Sequence, residues 1–130
     1  MSRQPSNEDR RVFAQALKQV GLHWQRVLHD DEFQSPNYFD LFTEIWLKAE
    51  EPVCKTDCYR FMPGVSSQTA KKYVERAVAR GHLLERDNPQ DGRSRLIALS
   101  PALKAQLEQT FDLTAQQLRQ ALECPRDTAA

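Results

Sequence analysis

Between Ser66 and Arg76 the sequence SSQTAKKYVER sets hydroxyl, amide and cationic side chains at helical spacing. A few residues later Arg86, Arg93 and Arg95 surround the turn-forming run Asn88-Pro89-Gln90-Asp91-Gly92. With Ser66 or Ser67 as N-cap, Ala70, Tyr73, Val74, Ala77 and Val78 fall on one helix face, and Gln68, Lys71, Lys72, Glu75 and Arg76 on the opposite one. Amides, hydroxyls and guanidinium groups match the edges of bases, while Lys and Arg match phosphates, so that polar face suits the major groove of duplex DNA. Ser67, Gln68, Thr69, Lys71, Lys72 and Arg76 are its candidate contacts, and Ser66 is read as the cap. An arginine on a projecting hairpin suits the minor groove, where negative potential is concentrated. Arg93, assisted by Arg95, is the candidate there, with Asp91 placed to orient Arg93 through a local ion pair.

Several elements must position these residues. Thr56 is expected to cap a short helix running to Met62, and Pro63-Gly64 forces a tight turn into the polar-faced helix. Gly81 stops that helix. Leu83 and Leu84 begin one strand and Leu96 to Leu99 form another, joined by the Pro/Gly loop. Upstream, Val12, Phe13, Ala16, Leu17, Val20, Trp24, Val27 and Leu28 keep near-helical register behind a Ser6 or Asn7 cap. One long helix is the reading, and a break at Gly21 the alternative. Ser35-Pro36 opens a further helix to about Ala49, with Phe39, Phe42, Ile45, Trp46 and Ala49 expected inward. Ser100-Pro101 opens the last helix, whose stripe of Leu103, Leu107, Phe111, Thr114, Leu118 and Leu122 ends before Pro125.

The run from Val65 to Ser100 resembles the DNA-binding core of the MarR family of bacterial transcriptional regulators. Ser66, Thr69, Lys72, Arg76, Gly81, Arg86, Pro89, Asp91, Arg93, Leu99 and Ser100 stand where that family's pattern has the same or similar residues. Ala77, Val78, His82 and Gly92 depart from it, Gly92 at a place where a second wing arginine is common. The match covers about a third of the chain. The resemblance implies a mainly α fold with a small β-hairpin wing (α+β): a winged helix-turn-helix whose long N- and C-terminal helices form a dimerisation region. It implies a homodimer on a pseudo-palindromic duplex, with the recognition helix in the major groove and the wing in the minor groove. The alternative is a winged-helix protein-interaction module without sequence-specific DNA binding, towards which Glu75 and Gly92 lean.

Family members commonly take a small effector, and His23 with Trp24 at a helix junction is the candidate pocket; the ordinary reading of such histidines is a boundary side chain. Some members sense oxidants through thiols. Cys54 and Cys58, with Lys55 and Arg60 close enough to lower a thiol pKa, are the candidate redox pair. The ordinary reading makes Cys58 a small buried residue, Cys54 a loop residue and Cys124 part of a loose tail.

Composition sets the remaining bounds. A chain of 130 residues with 40% hydrophobic content fits one domain, 1–130, with dimerisation helices over 8–29 and 101–123 and the DNA-binding winged helix over 36–100. The 18 basic and 18 acidic residues cancel, which argues against nucleic acid, yet Lys55 to Arg95 holds nine Lys/Arg against five Asp/Glu. No apolar run approaches the roughly 20 residues that span a bilayer, and no secretory signal opens the sequence, so a cytoplasmic protein is expected. Without a Gly-rich phosphate loop, paired cysteines or a His-x-x-x-His spacing, no metal, cofactor or catalytic set is expected.

Overall fold

The computed structural model describes residues 4–28, 31–48 and 50–123, with the backbone alone at 27, 31 and 121. His29, Ala49, Cys124 and Pro125 lie outside the described residues. Helix α1 is Asn7–Val27, and a 3-10 turn Asp31–Gln34 precedes α2, Pro36–Leu47. Strand β1 is Val53–Cys54, followed by the one-turn helix α3, Lys55–Cys58, and a second 3-10 turn, Tyr59–Phe61. Then come α4, Ser67–Ala79, strands β2, Leu83–Asp87, and β3, Arg95–Leu99, and α5, Pro101–Glu123. No helix among the described residues is long and apolar enough to cross a membrane.

The contacts divide into two compact units, Met1–His29 with Glu108–Ala130, and Asp30–Leu107. In the first, Ser6 and Asp9 form a reciprocal capping box: the Ser6 hydroxyl accepts the Asp9 N–H at 3.1 Å, and the Asp9 carboxylate accepts the Ser6 N–H at 2.8 Å. Helix α1 passes through Gly21 unbroken, so the single-helix reading holds. Ala16, Trp24, Leu28 and Thr110 are buried, whereas Phe13 and Leu17 on α1 and Leu122 on α5 are 51%, 70% and 69% exposed.

The second unit holds the larger core. Its sheet has the order β1-β3-β2, antiparallel throughout, with Val53 opposite Ile97 and Leu83 opposite Leu99. The expected hairpin is therefore a three-stranded sheet, because Val53 and Cys54 add an edge strand; two residues are too few to show any alternation in the sequence. Helix α2 also turns differently from expectation. Tyr38, Leu41, Phe42 and Ile45 are buried while Phe39 and Trp46 are only partly so. The buried Phe33 ring meets Tyr38 at 4.6 Å and the His82 ring edge-on at 4.5 Å, and Tyr38 stands perpendicular to Tyr73 at 4.9 Å. Such tilted and edge contacts suit the quadrupoles of the rings.

Phe33 sits on a single turn of 3-10 helix and is fully buried. Phe33→Ala should cost about 3–5 kcal/mol in urea unfolding, the range for removing a fully packed aromatic; a loss under about 1 kcal/mol would mean the turn is not anchored through this ring.

Candidate nucleic-acid interface

Helix α4 is held through one face and both ends, which leaves the other face exposed. Ala70, Val74 and Ala77 are completely buried. The Tyr38 hydroxyl donates to the Tyr73 carbonyl at 3.0 Å, fixing the helix flank against α2. At the N-terminus the Ser66 hydroxyl accepts the Thr69 N–H at 3.2 Å and donates to the Thr69 hydroxyl at 3.1 Å, so Ser66 is the cap and Ser67 the first helical residue. At the C-terminus Gly81 adopts φ +81°, and the His82 and Gly81 N–H groups donate to the Ala77 and Val78 carbonyls at 2.9 and 3.0 Å, a Schellman closure that a left-handed glycine permits.

The preceding helix departs from expectation. Thr56 lies inside α3, whose N-cap is Cys54, and the helix gives way to the 3-10 turn at Tyr59 rather than running to Met62. Cys54 belongs to strand β1 rather than to a loop. The two candidate redox thiols are placed unequally, Cys54 half-buried and Cys58 buried. Cys58 is buried, and burial, reinforced by the Asp57 charge, pushes its thiol up to about 12, so it is not a thiolate at neutral pH. Lys55 is no help to it, because its ammonium is 2.7 Å from the Glu85 carboxylate.

Ser67, Gln68, Thr69, Lys71, Lys72 and Arg76 are all exposed. They differ in what already engages them. Arg76 Nε lies 2.7 Å from the Glu32 carboxylate, Lys71 is 4.0 Å from Glu75 one turn on, and the Thr69 hydroxyl is used by the cap. Lys72 forms no ion pair among the described residues. Sequence reasoning does not mark Glu32 as a site residue: it stands 44 positions before Arg76, and no local signal joins them.

The wing separates its arginines in the same way. Arg95 is bound to Glu85, Nε to carboxylate at 3.0 Å, and to Asp87, the residue directly opposite it in the sheet. Glu85 also receives Lys55, and its own carboxyl is held below the usual 4.5 by that hydrogen bond against opposing desolvation, with Arg95 adding to the effect. Arg95 thus pairs with two carboxylates across the sheet, with its own side chain 43% and that of Asp87 90% exposed. Arg93 is exposed and forms no ion pair among the described residues; the expected ion pair from Asp91 is replaced by a bond from the Arg93 backbone N–H to the Asp91 carboxylate at 3.0 Å.

The candidate effector residues belong to the first unit. Trp24 is buried, and His23 is half-buried with Nε2 shielded from solvent and lacking a hydrogen-bond partner among the described residues. Among those residues no three His, Cys, Asp or Glu side chains are grouped to hold a metal ion.

A short helix, a tight turn, a polar-faced second helix and a three-stranded sheet ending in an arginine-bearing loop make this unit a winged helix. No family model matches the chain, and no curated protein does. Solved structures do. The transcriptional regulator Tm0710 of Thermotoga maritima is similar at 20% identity and TM-score 0.61, over 85% of this chain and 75% of that one. A mutant MarR from E. coli, complexed with operator DNA, is similar at 18% identity and TM-score 0.57, over 87% and 75%. A probable transcriptional regulator from Pseudomonas aeruginosa is similar at 25% identity and TM-score 0.54, over 85% and 80%. The fold is that of the MarR-type winged-helix regulators, as the resemblance of Val65 to Ser100 implied.

Two outcomes follow from the wing's chemistry. Glu85 has a lowered folded pKa, so the stability it adds is present above the ordinary 4.5 and is lost as pH falls through the lower folded value. Wild-type protein should exceed Glu85→Gln by on the order of 1 kcal/mol at neutral pH, the gap narrowing in thermal melts as pH is lowered below the ordinary 4.5. A pH-independent gap would count against this. Gly92 has no atom within 4 Å of where a Cβ would stand and no positive φ. Gly92→Arg should therefore fold with unchanged or slightly raised stability, up to about 1 kcal/mol, measured by the same melts; a marked fall in melting temperature would show that the loop needs glycine.

Proposed function

We propose that this chain is a DNA-binding transcriptional regulator that acts as a homodimer on a pseudo-palindromic site, with α4 in the major groove and the loop between β2 and β3 in the minor groove. The observation that carries this reading is the exposed face of α4. From Gln68 to Arg76 its exposed residues are an amide, a hydroxyl, three cations and one carboxylate, Glu75, which lies 4.0 Å from Lys71, with no apolar residue, beside a wing whose Arg93 has no ion-pair partner among the described residues. In this arrangement Ser67 and Gln68 meet base edges, Lys71 and Lys72 meet phosphates, and Arg93 enters the minor groove. Arg76 joins them by exchanging Glu32 for a phosphate, which an exposed pair worth about 0–1 kcal/mol allows.

The dimer is supported by Phe13 and Leu17, one helical turn apart and exposed on α1, together with the exposed Leu113 and Leu122 of α5. A two-fold pair of winged helices reads half-sites about one duplex turn apart. The part of the chain that dimerises is taken as 8–29 with 101–123, and the part that binds DNA as 36–100. No catalytic role is assigned, and a small effector near His23 and Trp24 remains the reading for ligand control. The protein is taken to act in the cytoplasm, where its DNA is.

Selection from random-sequence duplexes at near-physiological salt should enrich a short inverted repeat. The affinity for that duplex should fall steeply with salt, and Lys72→Ala should lower the slope of log K against log salt by about 1 for each phosphate that Lys72 neutralises. A folded protein that enriches nothing and shows no salt-dependent binding would turn the assignment to the protein-interaction module.

A further inference from the structure

The loop that carries Arg93 is closed by neutral side chains. Asn88 follows directly on β2, and Ser94 directly precedes β3. The Asn88 amide nitrogen donates to the Ser94 hydroxyl at 2.8 Å, across the mouth of the loop. The Asn88 amide oxygen meanwhile accepts the Gln90 N–H at 3.0 Å, so both ends of one amide are used. Two backbone turns share Asp91: its N–H donates to the Asn88 carbonyl at 3.2 Å, and its carbonyl accepts the Ser94 N–H at 3.1 Å. The Ser94 hydroxyl donates to the same Asp91 carbonyl at 3.4 Å. The Asp91 carboxylate takes the Arg93 N–H at 3.0 Å.

We infer that Asn88 and Ser94 are positioning residues for the wing, a clasp that orders the backbone of Arg93 before DNA arrives and leaves its guanidinium unpaired. This rests on the DNA-binding reading above. Ordering a loop on binding costs conformational entropy, and order already present in the free protein removes that cost. The clasp supplies order without neutralising a cation. The contrast lies one residue beyond Ser94, where Arg95 is held by two carboxylates. Both Asn88 and Ser94 are half-buried while Arg93 is exposed, which fits support beneath a presented side chain.

Asn88→Ala and Ser94→Ala change no charge, and Ser94→Thr keeps the hydroxyl. On mixed-sequence duplex DNA at low salt, each alanine variant should bind about three- to tenfold more weakly, the effect of removing one hydrogen bond, with the salt slope unchanged and Ser94→Thr restoring affinity. Arg93→Ala should lower the slope. In the Arg93→Ala background, Ser94→Ala should have no further effect, because the clasp acts through that arginine. An equal loss in both backgrounds overturns the proposal, as does unaltered affinity in both alanine variants. Amide hydrogen exchange in the DNA-free protein gives a second reading: the Arg93 and Ser94 amides should exchange faster in Asn88→Ala than in wild type, and unchanged protection overturns the clasp on its own. If wild-type protein shows no salt-dependent binding, the DNA reading fails and the positioning role with it, whereas normal wild-type and Arg93→Ala behaviour beside silent clasp variants removes the clasp alone.

Discussion

Helix α4 has to be fixed by less than half of its circumference, because the rest of it is polar and must stay outside. The inner stripe is Ala70, Val74 and Ala77, three small side chains that are fully buried and contribute little area of their own. Small residues let the helix backbone come close, so the bulk must come from its neighbours. Tyr38, whose ring meets Tyr73 edge-on at 4.9 Å, is one of them, and it shares a core with Phe33, Met62 and Leu83, each with less than 2% exposure. Tyr38 does more than fill space, since its hydroxyl reaches the Tyr73 carbonyl and so sets the rotation of the helix about its axis. Which side chains of α4 face outward is therefore decided by buried contacts with α2 and by the Ser66 and Gly81 ends. The wing inherits the same frame. Gly81 redirects the chain into β2, and the Ser100 N–H returns to the His82 carbonyl at 2.9 Å, tying the end of β3 to the turn that closed α4.

A neutral chain can still present a cationic surface if its charges are unevenly distributed, and Lys55 to Arg95 holds nine Lys/Arg against five Asp/Glu. Glu32, Glu75, Glu85 and Asp87 are all within reach of a cation in the winged unit. These pairs are not equivalent. The side chains of Lys55 and Glu85 are about one-fifth exposed, and Glu85 bridges α3 to β3 through Lys55 and Arg95, so that arrangement costs desolvation to break and belongs to the fold. Arg76 and Glu32 are half and one-third exposed, and a pair of that kind exchanges readily with a competing anion. Net charge thus says less about the surface than the identity of the cations that no carboxylate engages.

Most of the fold was legible because its boundaries are written in local chemistry. Ser6, Ser66 and Ser100-Pro101 mark helix starts, Gly81 marks a stop, and Asn88 to Gly92 marks a loop, each from a few neighbouring residues. The errors arise where local chemistry is silent. Strand β1 has two residues, too short for a period. Helix α2 carries apolar residues at 38, 39, 41, 42, 45, 46 and 47, so several stripes fit the sequence and only packing selects the one through Tyr38 and Leu41. Thr56 is a good cap by type, but the chain enters α3 straight from a strand and the cap falls at Cys54. For the interface, residue types and helical spacing located the polar face. Availability was hidden, because Glu32 reaches Arg76 across 44 positions and Glu85 reaches Arg95 only once the strand register is known.

The same residue type therefore does opposite work depending on what holds it. Arg95 is held by charge, and a guanidinium between two carboxylates is both ordered and neutralised. Arg93 is ordered through its backbone, by an Asp91 carboxylate that accepts an N–H and by turns that Asn88 and Ser94 close without any cation. Backbone hydrogen bonds of this kind separate order from charge, which an ion pair to the side chain couples. The turns closed by Asn88 and Ser94 order the loop backbone without engaging the Arg93 guanidinium, while the Asp91 carboxylate is taken up by a backbone N–H. On the proposed DNA reading, a loop backbone ordered in advance leaves less backbone entropy to be lost when Arg93 enters a narrow, negatively charged groove.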